Sequence, residues 1–176
     1  MVTSCWGTMV SRLYFPVTEN CNFACGHCYL SAGPGKKDTT ISKRDFEKII
    51  DHLPLQDTKI YLTGGEVTTI PDELREFLRY LNHKRRDFVG FDCELTSIVQ
   101  TNASWATDFD SARRWFDFFG ENDVDLVLVH NFSEYHREQG INFDVLNNLD
   151  FASALSGVEC LSPRGFKSYD GSSYFP

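Results

Sequence analysis

The sequence contains no apolar run long enough to span a lipid bilayer, and its first twenty residues lack the basic and apolar regions of a secretory signal peptide. These absences predict a cytoplasmic protein without a membrane partner, in which cysteines are rarely paired as disulfides. Internal repeats and low-complexity blocks are absent from the sequence as well. The 176 residues, 41% hydrophobic and 14% aromatic, therefore have the composition of one folded domain rather than of a disordered chain.

Basic residues are scarce in the second half of the chain. Residues 1–88 carry 12 Lys and Arg against 11 Asp and Glu, whereas residues 89–176 carry 5 against 14, and the whole chain has a net charge of −8. Such an acidic half repels a phosphate backbone, so we expect no nucleic acid among the partners. The basic cluster HKRR at 83–86 is interpreted as the solvated end of a helix, where positive charge complements the helix dipole.

Segments typical of strands alternate with segments typical of helices four times along the chain. Apolar runs predict strands at 12–18, 58–65, 94–101 and 123–131. Apolar residues at helical spacing predict helices at 41–54, 71–82, 108–120 and 142–157, the first with Ser42 and Asp45 in capping-box register and the second with Pro71 at its first position. In the first and third helices the residues expected to face the core are Phe46, Ile49, Ile50, Leu53, Phe109, Ala112, Phe116 and Phe119.

This alternation predicts an α/β fold in which parallel strands are joined by right-handed crossovers. Past Gly157 the sequence has room for one more strand, whereas an eight-unit barrel needs roughly 250 residues. The expected architecture is a partial (β/α) barrel of about four to five parallel strands with helices outside. We expect residues 11–157 to form this domain, residues 1–10 to be an N-terminal extension, and residues 158–176 to be a C-terminal tail that covers the open edge or mouth of the barrel.

Two short motifs follow the first two predicted strands. Cys21, Cys25 and Cys28 have the spacing C-x3-C-x2-C in the loop after the first strand, and the second strand ends in GGE at 64–66. In a parallel sheet both positions lie at the carboxyl edge, where ligands bind. The two motifs are therefore expected to form one site.

Three closely spaced thiols without a fourth beside them favour a metal site that is open on one side. One alternative is a zinc site completed by His27, Cys5 or Cys93. Structural zinc sites usually combine two short ligand pairs, and the sequence offers no second pair. The scattered cysteines are interpreted as single buried thiols, namely Cys5, Cys93 and Cys160.

The segments CNFACGHCY at 21–29 and YLTGGE at 61–66 resemble the radical S-adenosylmethionine (radical SAM) superfamily. The resemblance implies a partial barrel of the radical SAM type, in which Cys21, Cys25 and Cys28 hold three irons of a [4Fe-4S] cluster. The fourth iron is then left for the amino and carboxylate groups of SAM. An incomplete set of thiolates agrees with this role, because clusters without a substrate usually have four cysteine ligands.

The resemblance also implies contacts with the SAM cofactor. Tyr29 would lie near the adenine, and Gly64 and Gly65 would let the backbone approach the methionine part, where a side chain would be in the way. Glu66 would accept a charge-assisted hydrogen bond from the SAM ammonium group.

Two later strand ends match the family less closely. QTNA at 100–103 resembles the common TNG element, which makes Thr101 and Asn102 further candidates near the cofactor. After the fourth strand the family often has Ser and Asp, whereas this sequence has an apolar run, so His130 or Asn131 is expected to take over the contact with the ribose.

The function implied by the resemblance is that of a radical SAM enzyme. The reduced cluster would cleave SAM to a 5′-deoxyadenosyl radical, which would abstract hydrogen from a peptide, a protein or a small metabolite. An electron donor such as flavodoxin or ferredoxin would be a partner, and the sequence singles out no catalytic residue. The alternative is a truncated or degenerate member that binds the cluster or SAM without turnover, as a partner subunit or as a piece of a longer enzyme. The intact motifs favour the enzyme, and the short chain and the unusual fourth strand favour the alternative.

Overall fold

The computed structural model describes residues 10–129, 139 and 145–161. Within these ranges five parallel strands form one open sheet whose order in space is their order in sequence. The strands are β1 (Ser11–Thr18), β2 (Thr58–Gly64), β3 (Leu95–Thr101), β4 (Leu126–Val129) and β5 (Glu159–Leu161). An α/β fold in the form of a partial barrel is thereby confirmed, and the fifth strand uses the room predicted after Gly157.

A helix follows each of the first four strands. The helices are α1 (Lys43–Asp51), α2 (Pro71–Val89), α3 (Phe109–Glu121) and α4 (Val145–Ser156). The side chain of Ser42 accepts a hydrogen bond from the Asp45 N–H at the start of α1, and Asp108 accepts one from the Ser111 N–H at the start of α3. Each cap satisfies a backbone donor that the first helical turn leaves free, which is why these helices begin where the sequence predicts. None of the helices in the described ranges is long and apolar enough to cross a bilayer.

The core lies between the helices and one face of the sheet. Phe46 on α1 stacks between Phe15 on β1 and Phe77 on α2, with ring centroids 5.2 and 4.4 Å away. On α3, Phe116 and Phe119 are fully buried and meet edge to face. Burying each such ring stabilises the fold by about 2–3 kcal/mol, so these aromatic layers fix the helices against the strands.

The other face of the sheet is the concave inner face of the half-barrel. Tyr14 and Tyr61, which are register partners on β1 and β2, stack there with ring centroids 4.4 Å apart. Tyr14 is half exposed, whereas its neighbours Phe15 and Val17 are buried or nearly so. The alternation along β1 therefore separates a core face from an accessible inner face that leads up to the carboxyl edge of the sheet.

Several boundaries and orientations differ from those predicted. Helix α2 continues seven residues past 82, so HKRR lies within its last two turns, where His83 and Arg86 are exposed and Arg86 supplies positive charge to the last turn. The side chains of Lys84 and Arg85 are mostly buried and paired with carboxylates. Ile49 and Phe109 were expected to face the core but are each more than a third exposed, because they lie at the margin of their helical stripes.

Helix α3 also ends later than predicted, since Gly120 lies within it and Asn122 is its C-cap. Strand β4 begins only at Leu126, because Asp123 adopts a left-handed turn conformation (φ 49°) and the Asp125 carboxylate accepts a hydrogen bond from the Ser97 backbone of β3. The predictions for Cys5, for His130 and Asn131, and for the tail after Leu161 lie outside the described residues.

Candidate functional site

The cysteine loop and the GGE segment lie side by side at the carboxyl edge of the sheet. The Gly65 N–H donates to the Thr18 carbonyl at 2.7 Å, and the Glu66 N–H donates to the Asn20 carbonyl at 2.8 Å. These two bonds continue the pairing of β1 with β2 beyond the end of the strands. They fix the chain just before Cys21 against the end of β2, so the cysteine motif and the GGE motif are adjacent in space.

Both glycines are required by this close approach. Gly64 has φ 141°, and a Cβ added there would lie 2.3 Å from the Thr18 carbonyl oxygen. A Cβ on Gly65 would lie 2.2 Å from the Asn20 carbonyl oxygen and 3.0 Å from the Cys21 Cβ. The space that a side chain would need is occupied by the backbone of the cysteine loop, so the glycines let the strand end pack directly against that loop.

One cavity of about 310 Å³ opens between the two motifs and the end of β3. Its volume lies within the range of small-molecule sites. It is lined by Tyr14, Cys21, Phe23, Cys25, His27, Cys28, Tyr29, Ala32, Thr63, Gly64, Gly65, Gln100, Thr101 and Asn102. The three cysteines of the motif therefore face the same space as the two glycines and the residues that end β3.

The thiols of the motif differ in burial and in hydrogen bonding. Cys21 is 8% exposed, and its sulfur accepts a hydrogen bond from the Phe23 N–H at 3.4 Å. The Cys28 sulfur accepts one from the Ala32 N–H, also at 3.4 Å. Both backbone donors point at sulfur atoms and would stabilise negative charge on them.

Burial raises the pKa of the Cys21 thiol to about 11, and the charges of Glu66, Cys25 and Cys28 act in the same direction, whereas the Phe23 N–H lowers it. Burial also raises the pKa of Cys25, with the nearby Cys28 as the second cause. Metal ligands of this kind bind as thiolates, so binding of a metal group would release protons from these sulfurs.

Cys93 does not belong to this site. It lies two residues before β3, at the amino edge of the sheet and opposite the cysteine loop, where its thiol donates to the carbonyls of Leu55 and Phe91. The zinc alternative completed by Cys93 is therefore wrong, whereas His27 lines the cavity. Among the described residues no three His, Cys, Asp or Glu side chains are gathered closely enough to surround a single metal ion.

Glu66 is completely buried, and its carboxylate links the end of β2 to the end of β3 through hydrogen bonds. Its Oε1 accepts hydrogen bonds from the Thr68 hydroxyl at 2.6 Å and the Thr101 hydroxyl at 2.8 Å, and its Oε2 accepts one from the Asn102 N–H at 2.7 Å. Burial raises the pKa of this carboxyl group, and the hydrogen bonds from Thr68, Asn102 and Thr101 lower it. The carboxylate is thus held by donors of the protein itself, and its direct contact with an ammonium group stays a prediction.

The remaining predicted residues occupy different environments. Tyr29 lines the cavity but is 83% exposed. Thr101 is buried, and its hydroxyl oxygen also accepts from the indole N–H of Trp105 at 2.9 Å. The side chain of Asn102 lies at the cavity wall beside Cys21, and its Nδ2 is 4.0 Å from the Cys21 sulfur.

Three residues of this region were not predicted from the sequence. Gln100 lies on the inner face of β3 and lines the cavity, and its buried Oε1 has no hydrogen-bond partner in the described part of the chain. Asn22 and Ser104 connect the cysteine loop to the loop after β3. The period-two pattern of β3 could have pointed to Gln100, because it places a polar side chain on the inner face at the carboxyl end of a strand.

A comparison with protein-family models matches the model of the radical SAM superfamily over residues 15–174. The chain belongs to the radical SAM superfamily. A search of curated proteins gives no match. Solved structures of anSMEcpe have a similar fold, one of the native protein with bound AdoMet and Cp18Cys peptide and one of the native protein with bound AdoMet.

The structural likeness to anSMEcpe shows the fold. The peptide complex has a TM-score of 0.55 and 18% sequence identity, and the match covers 86% of this chain and 41% of that one. The complex with AdoMet alone has a TM-score of 0.55 and 19% identity, with 86% and 42% covered. The chain thus spans about two fifths of the length of these anSMEcpe chains.

The cavity fits the groups that a radical SAM protein binds. A [4Fe-4S] cluster attaches each thiolate to a different iron, so its three cysteines surround a larger volume than the ligands of a single ion do. The three thiols face one cavity, two of them with backbone donors on their sulfurs, and the orphaned Gln100 Oε1 offers an acceptor at the wall. These features are the chemistry expected beside an anionic cluster and a cofactor that carries an ammonium group.

Proposed function

We propose that the chain is a radical SAM enzyme that binds a [4Fe-4S] cluster through Cys21, Cys25 and Cys28 and binds SAM in the same cavity. When bound and reduced, the cluster supplies the electron that splits SAM into methionine and a 5′-deoxyadenosyl radical able to abstract hydrogen. The observation that carries the proposal is that all three thiols of the motif line the cavity formed by the glycines and the end of β3.

The residues of the chain divide the tasks of binding and positioning. The N–H groups of Phe23 and Ala32 stabilise the thiolates of Cys21 and Cys28. Gly64 and Gly65 hold the cysteine loop against β2 while leaving their outer surface free for the methionine part of SAM.

Gln100 is a further candidate contact for SAM or for the substrate. Its Oε1 can accept a hydrogen bond from the SAM ammonium group or from a donor on the substrate, since a buried acceptor without a partner is costly until one arrives. Tyr29, Asn102, His130 and Asn131 are kept as proposed contacts with the adenosine part.

A peptide is the substrate class that we propose. Support comes from the open inner face below the cavity, where the stacked Tyr14 and Tyr61 offer an aromatic surface, and from the peptide bound in the anSMEcpe structure of the same fold. The electron would come from a small carrier such as flavodoxin or ferredoxin.

The second candidate is a superfamily member that binds cluster and SAM without turnover, as a partner subunit or as part of a longer enzyme. It is favoured by one observation, namely that the chain covers only about two fifths of the radical SAM structures it resembles. The two candidates share the cluster and differ in whether SAM is cleaved.

Anaerobic reconstitution with iron and sulfide tests the cluster on which both candidates depend. We expect close to four irons and four sulfides per chain in the wild type, with the absorbance and the reduced-state EPR signal of a [4Fe-4S] cluster. Cys25→Ala should lose most of this iron. Cys160→Ala, which removes a thiol on β5 that does not line the cavity, is the matched control and should load fully. Equal loading of the wild type and Cys25→Ala would contradict the assignment of the motif as the ligand set.

A further inference from the structure

The cysteine loop is joined to the loop after β3 by a closed ring of hydrogen bonds among three residues, which we call the asparagine clasp (Asn22, Asn102 and Ser104). The Asn22 Nδ2 donates to the Ser104 Oγ at 2.7 Å, the Ser104 N–H donates to the Asn102 Oδ1 at 3.0 Å, and the Asn102 Nδ2 donates to the Asn22 Oδ1 at 3.1 Å. The two sides of the ring lie about eighty residues apart in sequence. Each amide group both donates and accepts, so the ring fixes their orientations.

The buried carboxylate of Glu66 anchors the clasp from below. Its Oε2 accepts from the Asn102 backbone N–H, and its own backbone N–H donates to the Asn20 carbonyl. Glu66 therefore binds both partners that the clasp joins, the start of the cysteine loop and the end of β3. Hydrogen bonds to a buried carboxylate are strong, so this anchor leaves Asn102 little freedom.

The backbone between the two β3-side members of the clasp is also held in an uncommon conformation. Ala103 is fully buried with φ 56°, in the left-handed region that costs a residue with a side chain roughly 1 kcal/mol or more. Such a conformation persists where the surrounding contacts impose it. Here it turns Ser104 back so that its N–H meets the Asn102 side chain.

The clasp brings an amide donor to the sulfur of a cluster ligand. The Asn102 Nδ2 lies 4.0 Å from the Cys21 Sγ, on which the Phe23 N–H already converges at 3.4 Å. Hydrogen bonds to the sulfurs are one of the ways in which a protein sets the reduction potential of an iron–sulfur cluster. A donor directed at a thiolate stabilises the reduced form more, since that form carries the additional negative charge.

We propose that Asn102 is a positioning residue for the cluster: the clasp holds the cysteine loop in place and directs the Asn102 amide at the Cys21 sulfur, which makes the cluster easier to reduce. The tuning half of this inference rests on the proposed function, because it requires that Cys21 bind a cluster. The other half, that the clasp holds the cysteine loop in place, applies to the metal-free protein and does not depend on the proposed function.

The potential of the reconstituted cluster tests the tuning role. We expect Asn102→Leu to load iron as the wild type does but to show a more negative midpoint potential in an EPR-monitored redox titration. Ser104→Ala, which keeps the amide donor and removes only one bond of the ring, should shift the potential less. A fully loaded Asn102→Leu protein with the wild-type potential would overturn the tuning role.

Hydrogen–deuterium exchange of the metal-free protein tests the clasp independently. Asn22→Ala and Ser104→Ala should each speed exchange in peptides that cover residues 19–32 by severalfold, whereas Thr107→Ala, an exposed change outside the ring, should not. Unchanged exchange in both clasp variants would overturn the holding role. This test does not depend on Asn102→Leu and can be made even if that variant fails to fold. If the wild type takes up no cluster, the proposed function and the tuning role fail together, while exchange still decides whether the clasp holds the loop.

Discussion

At the scale of single residues, the two glycines of GGE could be located from the sequence. The physical reason why glycine is needed at these positions could not be predicted from it. The resemblance explained them by the approach of a cofactor. The structure shows that the atoms nearest to an added Cβ are the carbonyl oxygens of Thr18 and Asn20. This contact joins two segments more than forty residues apart, and no local pattern in the sequence records it.

Gly65→Ala should therefore destabilise the protein even without cofactor. A methyl group 2.2 Å from a backbone oxygen forces the cysteine loop away from β2, and we expect a loss of about 3 kcal/mol in the free energy of unfolding. Thermal or urea unfolding of the metal-free protein measures this loss. Gly33→Ala, in the cysteine loop that Gly65 contacts, is the control, because a Cβ there meets no atom within 4 Å. Equal stability of the two variants would contradict the close approach.

Glu66 illustrates a second limit at this scale. Its identity and its position after β2 could be predicted. Its hydrogen bonds from Thr101 and Asn102 could not, because these residues reach it only once β3 pairs beside β2. The same holds for the asparagine clasp, whose members look like ordinary loop residues in the sequence.

At the scale of helices and strands, most of the fold follows from short-range patterns. The cap at Ser42 and the apolar stripes locate three helices to within a few residues, except at the C-terminal end of α2. That end was missed because Arg85 stands between Leu81 and Phe88, where the stripe would have an apolar residue. Its side chain reaches the Ser97 hydroxyl on β3 at 2.7 Å and pairs with Asp125 before β4, so a charged residue faces the sheet.

Arg85→Ala should lower the free energy of unfolding by about 1–2 kcal/mol, because it leaves the partly buried Asp125 carboxylate and the Ser97 hydroxyl without their cationic partner. Arg113→Ala is the comparison, since Arg113 pairs with Asp117 on the exposed side of α3 and such pairs contribute little. Urea denaturation of both variants gives the comparison. An equal and small effect of both changes would show that Arg85 does not join α2 to the sheet.

At the scale of the whole molecule, the partial barrel explains why the site lies where it does. Parallel strands in sequential order bring every carboxyl end to one edge, so the loops after β1, β2 and β3 meet although they are separated along the chain. Fold class and the place of the site could be predicted because both depend on the order of the elements. The open inner face could be expected from chain length, whereas the Tyr14–Tyr61 stack and the free Gln100 acceptor depend on strand register.

The measurement that tests the central claim most directly is the formation of 5′-deoxyadenosine. The reconstituted chain is reduced with dithionite under anaerobic conditions in the presence of SAM, and the product is quantified by liquid chromatography and mass spectrometry, with Cys28→Ala treated identically. The proposed function predicts 5′-deoxyadenosine from the wild type and none above background from the variant. A wild-type protein that carries its cluster and binds SAM but forms no 5′-deoxyadenosine would contradict the enzymatic function and leave the binding subunit as the correct account.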